Sequence, residues 1–409
     1  MKNNMTHKAV ALFLLVAVVI TKVSAQTDPT NLLGQINTIT TAVPFLMISP
    51  EARAGGMGDA GVASSPDINS QHWNPAKYAF IEKKGGISIS YTPWLRQLVD
   101  DINLAYVSGY TKLKNDQALA LSLRYFSLGN IDFTDETGFN FASFSPNEFA
   151  IDVSYSRKLS DYFSGGIALR YIYSNLTGGI TLPGSNISSK AGKSIAADIA
   201  VFYQKEDMEV GKKDAVFAAG LAITNIGSKI SYTETGDKDF IPINLRFGPS
   251  LKLKLNDYNE LMFLFDINKL LVPTPPIYSD SVDAITNEQQ IIFGQSSDVS
   301  VAAGIFQSFS DAPGGFSEEI KEYNICGGME YWYDKQFAFR VGYFFESASK
   351  GNRKYFTLGA GLKYSVFGLD FAYLIPTEQR NPLENTLRFT LSFDFASSGG
   401  TTDAPENQE

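Results

Sequence analysis

The chain has 409 residues and one cysteine, Cys326, so an internal disulfide is excluded, and with it the small stapled scaffolds of secreted proteins. A formal charge of -9 argues against nucleic acid as a partner. The mean hydropathy of -0.07 is far from that of a helical membrane protein but is what strands with alternating lipid-facing and lumen-facing residues average to, and the 13% aromatic content suits the girdles of such a barrel.

Lys2 and Lys8 precede an apolar run over 9–20 that ends near Val23-Ser24-Ala25, the pattern of a secretory signal peptide cleaved after residue 25. The run is too short to span a bilayer as a helix, and no cysteine adjoins the cleavage site to carry a lipid anchor. Residues 26–85 do not alternate and contain Ala54-Gly55-Gly56-Met57-Gly58-Asp59-Ala60-Gly61, small residues that permit close packing and unusual backbone angles. They are expected to form an arm and a hatch inside the barrel. The hatch motif is Gly55, Gly56, Gly58 and Asp59 with Asn74, Pro75 and Ala76. Asn before Pro is also an ordinary turn starter, and both readings place it in the plug.

From residue 86 the sequence becomes a succession of period-2 segments near the length a tilted strand needs to cross a membrane. In the last, Leu387, Phe389, Leu391, Phe393 and Phe395 share one face, and Arg388, Thr390, Ser392 and Asp394 the other. Strands are predicted at 86–93, 102–112, 117–126, 148–158, 162–173, 195–204, 214–224, 243–254, 260–269, 322–333, 337–346, 354–364, 367–375 and 386–395. The fold class is therefore all-β: a transmembrane barrel of 14 antiparallel strands over 86–395, with a flexible periplasmic tail over 396–409.

A soluble sandwich also alternates, so the connections decide. Those after odd strands are mostly long (130–147, 175–194, 226–241, 271–321), and those after even strands mostly tight (114–116, 160–161, 256–259, 334–336). Outer-membrane barrels sort their loops in this way, with short turns in the periplasm, which places both termini there. The run 299–309 would make an odd strand count and is read as part of a folded surface loop. That loop, with Pro273, Pro275, Pro276, Pro313, Gly314, Gly315 and Phe316, is the candidate external partner-binding loop; its length argues for a binding or lid role, since long loops in compact proteins are usually functional or disordered.

Little in the chain supports catalysis. Once the leader is removed His72 is the single histidine, and a hydrolase or lipid deacylase would have to use it; a packing role in the hatch is favoured. No Cys or His cluster has metal-ligand spacing, and Asp132, Asp135 and Glu136 lack the spacing of a calcium loop. No catalytic residue, metal or cofactor is assigned. Cys326 falls on the lumen face as a small core residue. The inward Arg124, Arg170, Arg340, Lys363 and Arg388 are expected to pair with Asp152, Asp198, Asp266, Asp370 and Asp394.

The segment 52–63, followed by Asn74-Pro75-Ala76, resembles the N-terminal hatch of FadL-type barrels. With 44–51, Asp311-Ala312-Pro313-Gly314-Gly315-Phe316 and Glu330-Tyr331-Trp332-Tyr333-Asp334, the chain is similar to the PorV family, FadL-like outer-membrane components of the Bacteroidetes type IX secretion system. The resemblance implies a non-enzymatic subunit in contact with membrane lipid. It would work beside the large translocon barrel, bind secreted cargo through its conserved C-terminal domain, and deliver it to a surface attachment complex with a PorU-like sortase. A FadL-like transporter of hydrophobic small molecules is the alternative, and it requires a continuous apolar pocket past Asn74.

Overall fold

The computed structural model describes residues 36–395 apart from 97–98, 115, 135–137, 180–188, 234–235, 237, 283–288 and 379–380. The expected leader and tail, and Asp135 and Glu136, lie outside the described residues. In chain order the strands are β1 (Gly85–Pro93), β2 (Ile102–Lys112), β3 (Gln117–Leu128), β4 (Ile131–Thr134), β5 (Asn140–Phe144), β6 (Asn147–Lys158), β7 (Phe163–Asn175), β8 (Gly192–Val210) and β9 (Lys213–Gly227). They continue as β10 (Asn244–Lys254), β11 (Asn259–Leu270), β12 (Ile277–Val282), β13 (Gln289–Phe293), β14 (Tyr323–Tyr333), β15 (Phe337–Phe345), β16 (Lys354–Tyr364), β17 (Phe367–Pro376) and β18 (Leu387–Phe395).

Two hairpins, β4–β5 and β12–β13, stand apart, and the other fourteen strands close an antiparallel barrel. The seam joins β1 to β18, with Ile89 opposite Leu391. These fourteen coincide with the predicted strands, the main difference being β8, which runs on to Val210.

Burial is inverted relative to a soluble protein. Along β3, Leu119, Leu121 and Leu123 are 39%, 56% and 43% exposed, whereas Arg124 is 2% exposed. A water-facing surface built this way would forfeit roughly 1.5–3 kcal/mol for each side chain. Against acyl chains the same surface is stable, so the pattern marks a membrane wall.

The tight connections 113–116, 159–162, 211–212, 255–258, 334–336 and 365–366 share one rim. The opposite rim carries 129–146, 176–191, 228–243 and 271–322, among others. Within the longest of these, the run 299–309 holds the helix Val301–Gln307, started by Ser300, whose Oγ accepts from the Ala303 N–H at 3.3 Å. Val301 and Ile305 stand four apart, one helical turn, and both pack inward with Val299.

The hatch runs the length of the lumen. At the long-loop rim the Asn37 N–H donates to the Ser349 carbonyl at 2.8 Å, and the Ala42 N–H to that of Phe240 at 2.8 Å. Residues 42–81 then descend, mostly buried, to the short-turn rim where β1 begins. The strand ends at β1 and β18 agree with the expectation of a common rim, but at residue 37 the chain lies at the other one. Phe45 and Leu46 fill the long-loop end with Leu104, Phe126, Ile172, Ile241 and Val272.

Candidate functional site

Each hatch motif residue meets the wall. Glu51 starts the short helix Ala52–Gly55 by accepting from the Arg53 and Ala54 N–H groups, and it also accepts from Trp73 Nε1 at 3.0 Å. The Arg388 side chain lies across Gly55, so that a Cβ there would sit 2.8 Å from its Cδ. Gly56 abuts Gly359 on β16. Gly58 adopts φ +70° and packs on the backbone of β14 and β15, where a Cβ would come within 2.6 Å of the Tyr343 N and 2.8 Å of the Gly327 O. Asp59 accepts from Arg388 Nη1 at 2.8 Å and from the Tyr355 hydroxyl at 2.6 Å.

Asn74 closes its turn by accepting from the Ala76 N–H at 3.0 Å. Its Nδ2 donates to the Val62 carbonyl at 3.2 Å and to the Val201 carbonyl of β8 at 3.0 Å, so one side chain joins two passes of the hatch to the wall. Pro75 and Ala76 press on Gly166 of β7, and Ser164 donates to the Ala76 carbonyl at 2.7 Å.

The inward charges are only partly as expected. Arg170 pairs with Asp152 and Asp198, Arg340 with Asp370 and Lys363 with Asp394. Three others serve the hatch instead. Asp266 accepts from the Gly61 and Val62 N–H groups at 2.7 and 2.9 Å, Arg388 holds Asp59, and Arg124 donates to the Leu46 carbonyl at 2.8 Å and to His72 Nδ1 at 2.5 Å. The physical reason is that a plugged lumen offers hatch backbone groups that must be satisfied, and the wall supplies them. Arg53 was not singled out from the sequence, yet it bridges Asp67 at 2.8 Å and Glu330 at 2.8 Å. Hydrogen bonds to charged groups contribute about 1.5–3 kcal/mol each. Several in parallel make the hatch part of the folded barrel.

His72 is buried against Trp73 with the Arg246 guanidinium nearby, and Arg246 Nη1 donates to its carbonyl at 2.8 Å. Because Arg124 donates to Nδ1, that lone pair is already committed, which favours a packing role over a base. Cys326 is fully buried. A cavity of about 460 Å³ opens at the short-turn mouth, where Lys252, Glu260, Lys335, Lys363, Asp370 and Asp394 are among its lining residues.

The prolines of the long loop do not face outward. Pro273 and Pro276 are buried, and Pro275, Pro313 and Gly314 half-buried, while Gly315 and Phe316 are exposed. Restricted φ makes proline a good residue for pinning a loop onto its base. The outward side is instead apolar: Phe306, Phe316 and Ile320 are 78%, 80% and 55% exposed. Beneath it lies a charge cluster that the sequence did not suggest. Lys269 reaches Glu322 at 2.6 Å, and Lys350 reaches Glu318 at 2.6 Å and Glu322 at 3.0 Å.

Among solved structures the chain is similar to the Pseudomonas putida toluene transporter TodX, with 9% identity, a TM-score of 0.48, and 88% of this chain and 98% of that chain covered. It is also similar to the Ralstonia pickettii toluene transporter TbuX (10%, 0.46, 84% and 98%) and to a Pseudomonas aeruginosa FadL homologue (13%, 0.42, 88% and 99%). No curated protein sequence matches it. Residues 32–277, the hatch and β1 to β11, match the family described as "Type IX secretion system protein PorV". That match covers more than half of the chain, which therefore belongs to this family and is an outer-membrane component of the type IX secretion system.

Proposed function

We propose that the barrel is a non-enzymatic cargo carrier: it receives clients bearing the system's conserved C-terminal domain at the translocon barrel and passes them to the surface attachment complex with its PorU-like sortase. In this reading the short-turn rim is periplasmic and the long loops face outward. The observation that carries it is the seated hatch. With Asn74, Pro75 and Ala76 packed into the wall, the work falls to the loops, where Phe306, Phe316 and Ile320 offer apolar contact in an aqueous setting. The transporter alternative needs an apolar path past Asn74, whereas Asn74 is fully buried and the cavity at the short-turn mouth has many charged lining residues.

Deleting the gene tests the reading: cargo should accumulate in the periplasm. Restoring it with Phe306→Ser and Phe316→Ser together should return a folded barrel to the membrane but leave surface delivery impaired. Normal surface delivery in the deletion strain would refute the carrier role.

A further inference from the structure

The seated hatch leaves two features unexplained: why Asn37 of the arm is held at the long-loop rim, and why so many charges lie buried there beneath the loop after β11. Asn37 connects them. Its N–H donates to Ser349 O in the loop after β15, and its Nδ2 donates to the Pro275 carbonyl at 3.2 Å and to Glu318 Oε1 at 3.1 Å, both in loop 271–322. Glu318 Oε1 is also the acceptor of Lys350 Nζ. Lys269, at the end of β11, holds Glu322 and reaches Glu319 at 3.4 Å, while the Thr274 hydroxyl donates to Glu322 Oε1 at 2.6 Å. Glu319 and Glu318 in turn accept from the Ala312 and Gly314 N–H groups, each at 2.8 Å. The side chains of Lys269 and Glu322 are each 1% exposed, so these pairs have left water and must be complete to be stable.

We propose that residues 271–282 and 289–322, between β11 and β14, form a lid, latched by Lys269 and Lys350 and strapped by the N-terminal arm, which enters the barrel at the long-loop rim. The lid covers the apolar end of the lumen, where Leu271 and Val272 are buried with Phe45 and Leu46. Asn37 of the strap and Lys350 of the latch share Glu318, so loss of either loosens the same carboxylate and raises the population of open lid. Closure does not depend on which rim faces outward. That the strap enters from outside the cell rests on the orientation proposed above.

The two parts are tested separately. In purified, detergent-solubilised barrel, a Val272→Cys reporter should react slowly with a maleimide, since Val272 is 2% exposed and the native Cys326 is buried. Adding Lys350→Met or Asn37→Ala should speed labelling at least about tenfold, as expected from losing a hydrogen bond to a charged group, with heat-modifiable migration of the barrel unchanged. Labelling at the parent rate in the Asn37→Ala background would overturn the strap, and in the Lys350→Met background the latch. On intact cells, Ile36→Cys should react with an impermeant maleimide and Lys335→Cys only after the outer membrane is opened. The reverse pattern would refute the orientation, and with it the carrier reading, while leaving the lid to the detergent experiment.

Discussion

Arg388 in the last strand donates to Asp59 in the hatch at 2.8 Å, across 329 positions of sequence. The pair is almost fully enclosed, at 2% and 13% side-chain exposure, so its members are not interchangeable with solvent. Removing one partner of such a pair costs on the order of 3–5 kcal/mol. Arg388→Met should lower the denaturant midpoint of the purified barrel and expose the segment after residue 52 to protease. Asp59→Asn, which keeps an acceptor for Arg388, should do less. Equal effects from the two would show that a neutral acceptor gives Arg388 nothing and that the carboxylate charge of Asp59 is required for seating.

Gly58 and Gly342 make a backbone-on-backbone contact that tolerates no side chain: a Cβ on Gly342 would overlap the Gly58 N. Gly342→Ala should therefore cost about 1–3 kcal/mol or more through overpacking. Gly327→Ala on the neighbouring strand is the control, because a Cβ there meets nothing within 4 Å. Stability measured for the two should differ clearly, and a neutral Gly342→Ala would mean that the hatch sits off the wall at this point.

The strands were legible because their signal is local. Leu119, Leu121 and Leu123 alternate with Ala120, Ser122 and Arg124 whatever lies elsewhere, and a tight turn or a long loop shows as spacing. The hatch partners were not legible, for Arg53 with Glu330 and Asp59 with Arg388 are related only by closure of the barrel. Adjacent-strand pairs such as Arg170 with Asp152 could be anticipated from alternation on facing strands. Glu318, Glu319 and Glu322 carry no local signal of a buried cluster, because only the fold brings Lys269 and Lys350 over them. Within the same loop the sequence did not tell which residues pin it down and which face out: Pro273 and Pro276 are buried and Phe316 is exposed.

His72 separates a structural from a chemical role. His72→Ala deprives Arg124 Nη2 of its acceptor deep in the lumen, which should lower stability by about 1–3 kcal/mol. Phospholipid and lipid A turnover in cells carrying the variant should match the parent. A loss of turnover in a barrel that still folds would establish an enzyme where none is expected.

Two loop carboxylates give the lid a pH window. Burial pushes the Asp311 pKa up to about 6, helped by the nearby Glu319 and Glu322 and opposed by the Thr274 N–H. A raised carboxylate pKa means that its share of stability is present at low pH and is lost as pH rises through 6. Glu318 behaves oppositely: burial alone would raise it, but the hydrogen bond from Lys350 and the Gly314 N–H hold it below the usual 4.5. Its share is present above 4.5 and is lost as pH falls further. The lid should accordingly be tightest near about pH 4, just where the Glu318 share is gained and before most of the Asp311 share is lost. Amide exchange across 271–282 and 289–322, corrected for the intrinsic pH dependence, should show protection falling between about pH 4 and 6, and Asp311→Asn should flatten that fall. Protection that climbs over the same interval would place the charged form of Asp311 in the closed lid and reverse the assignment.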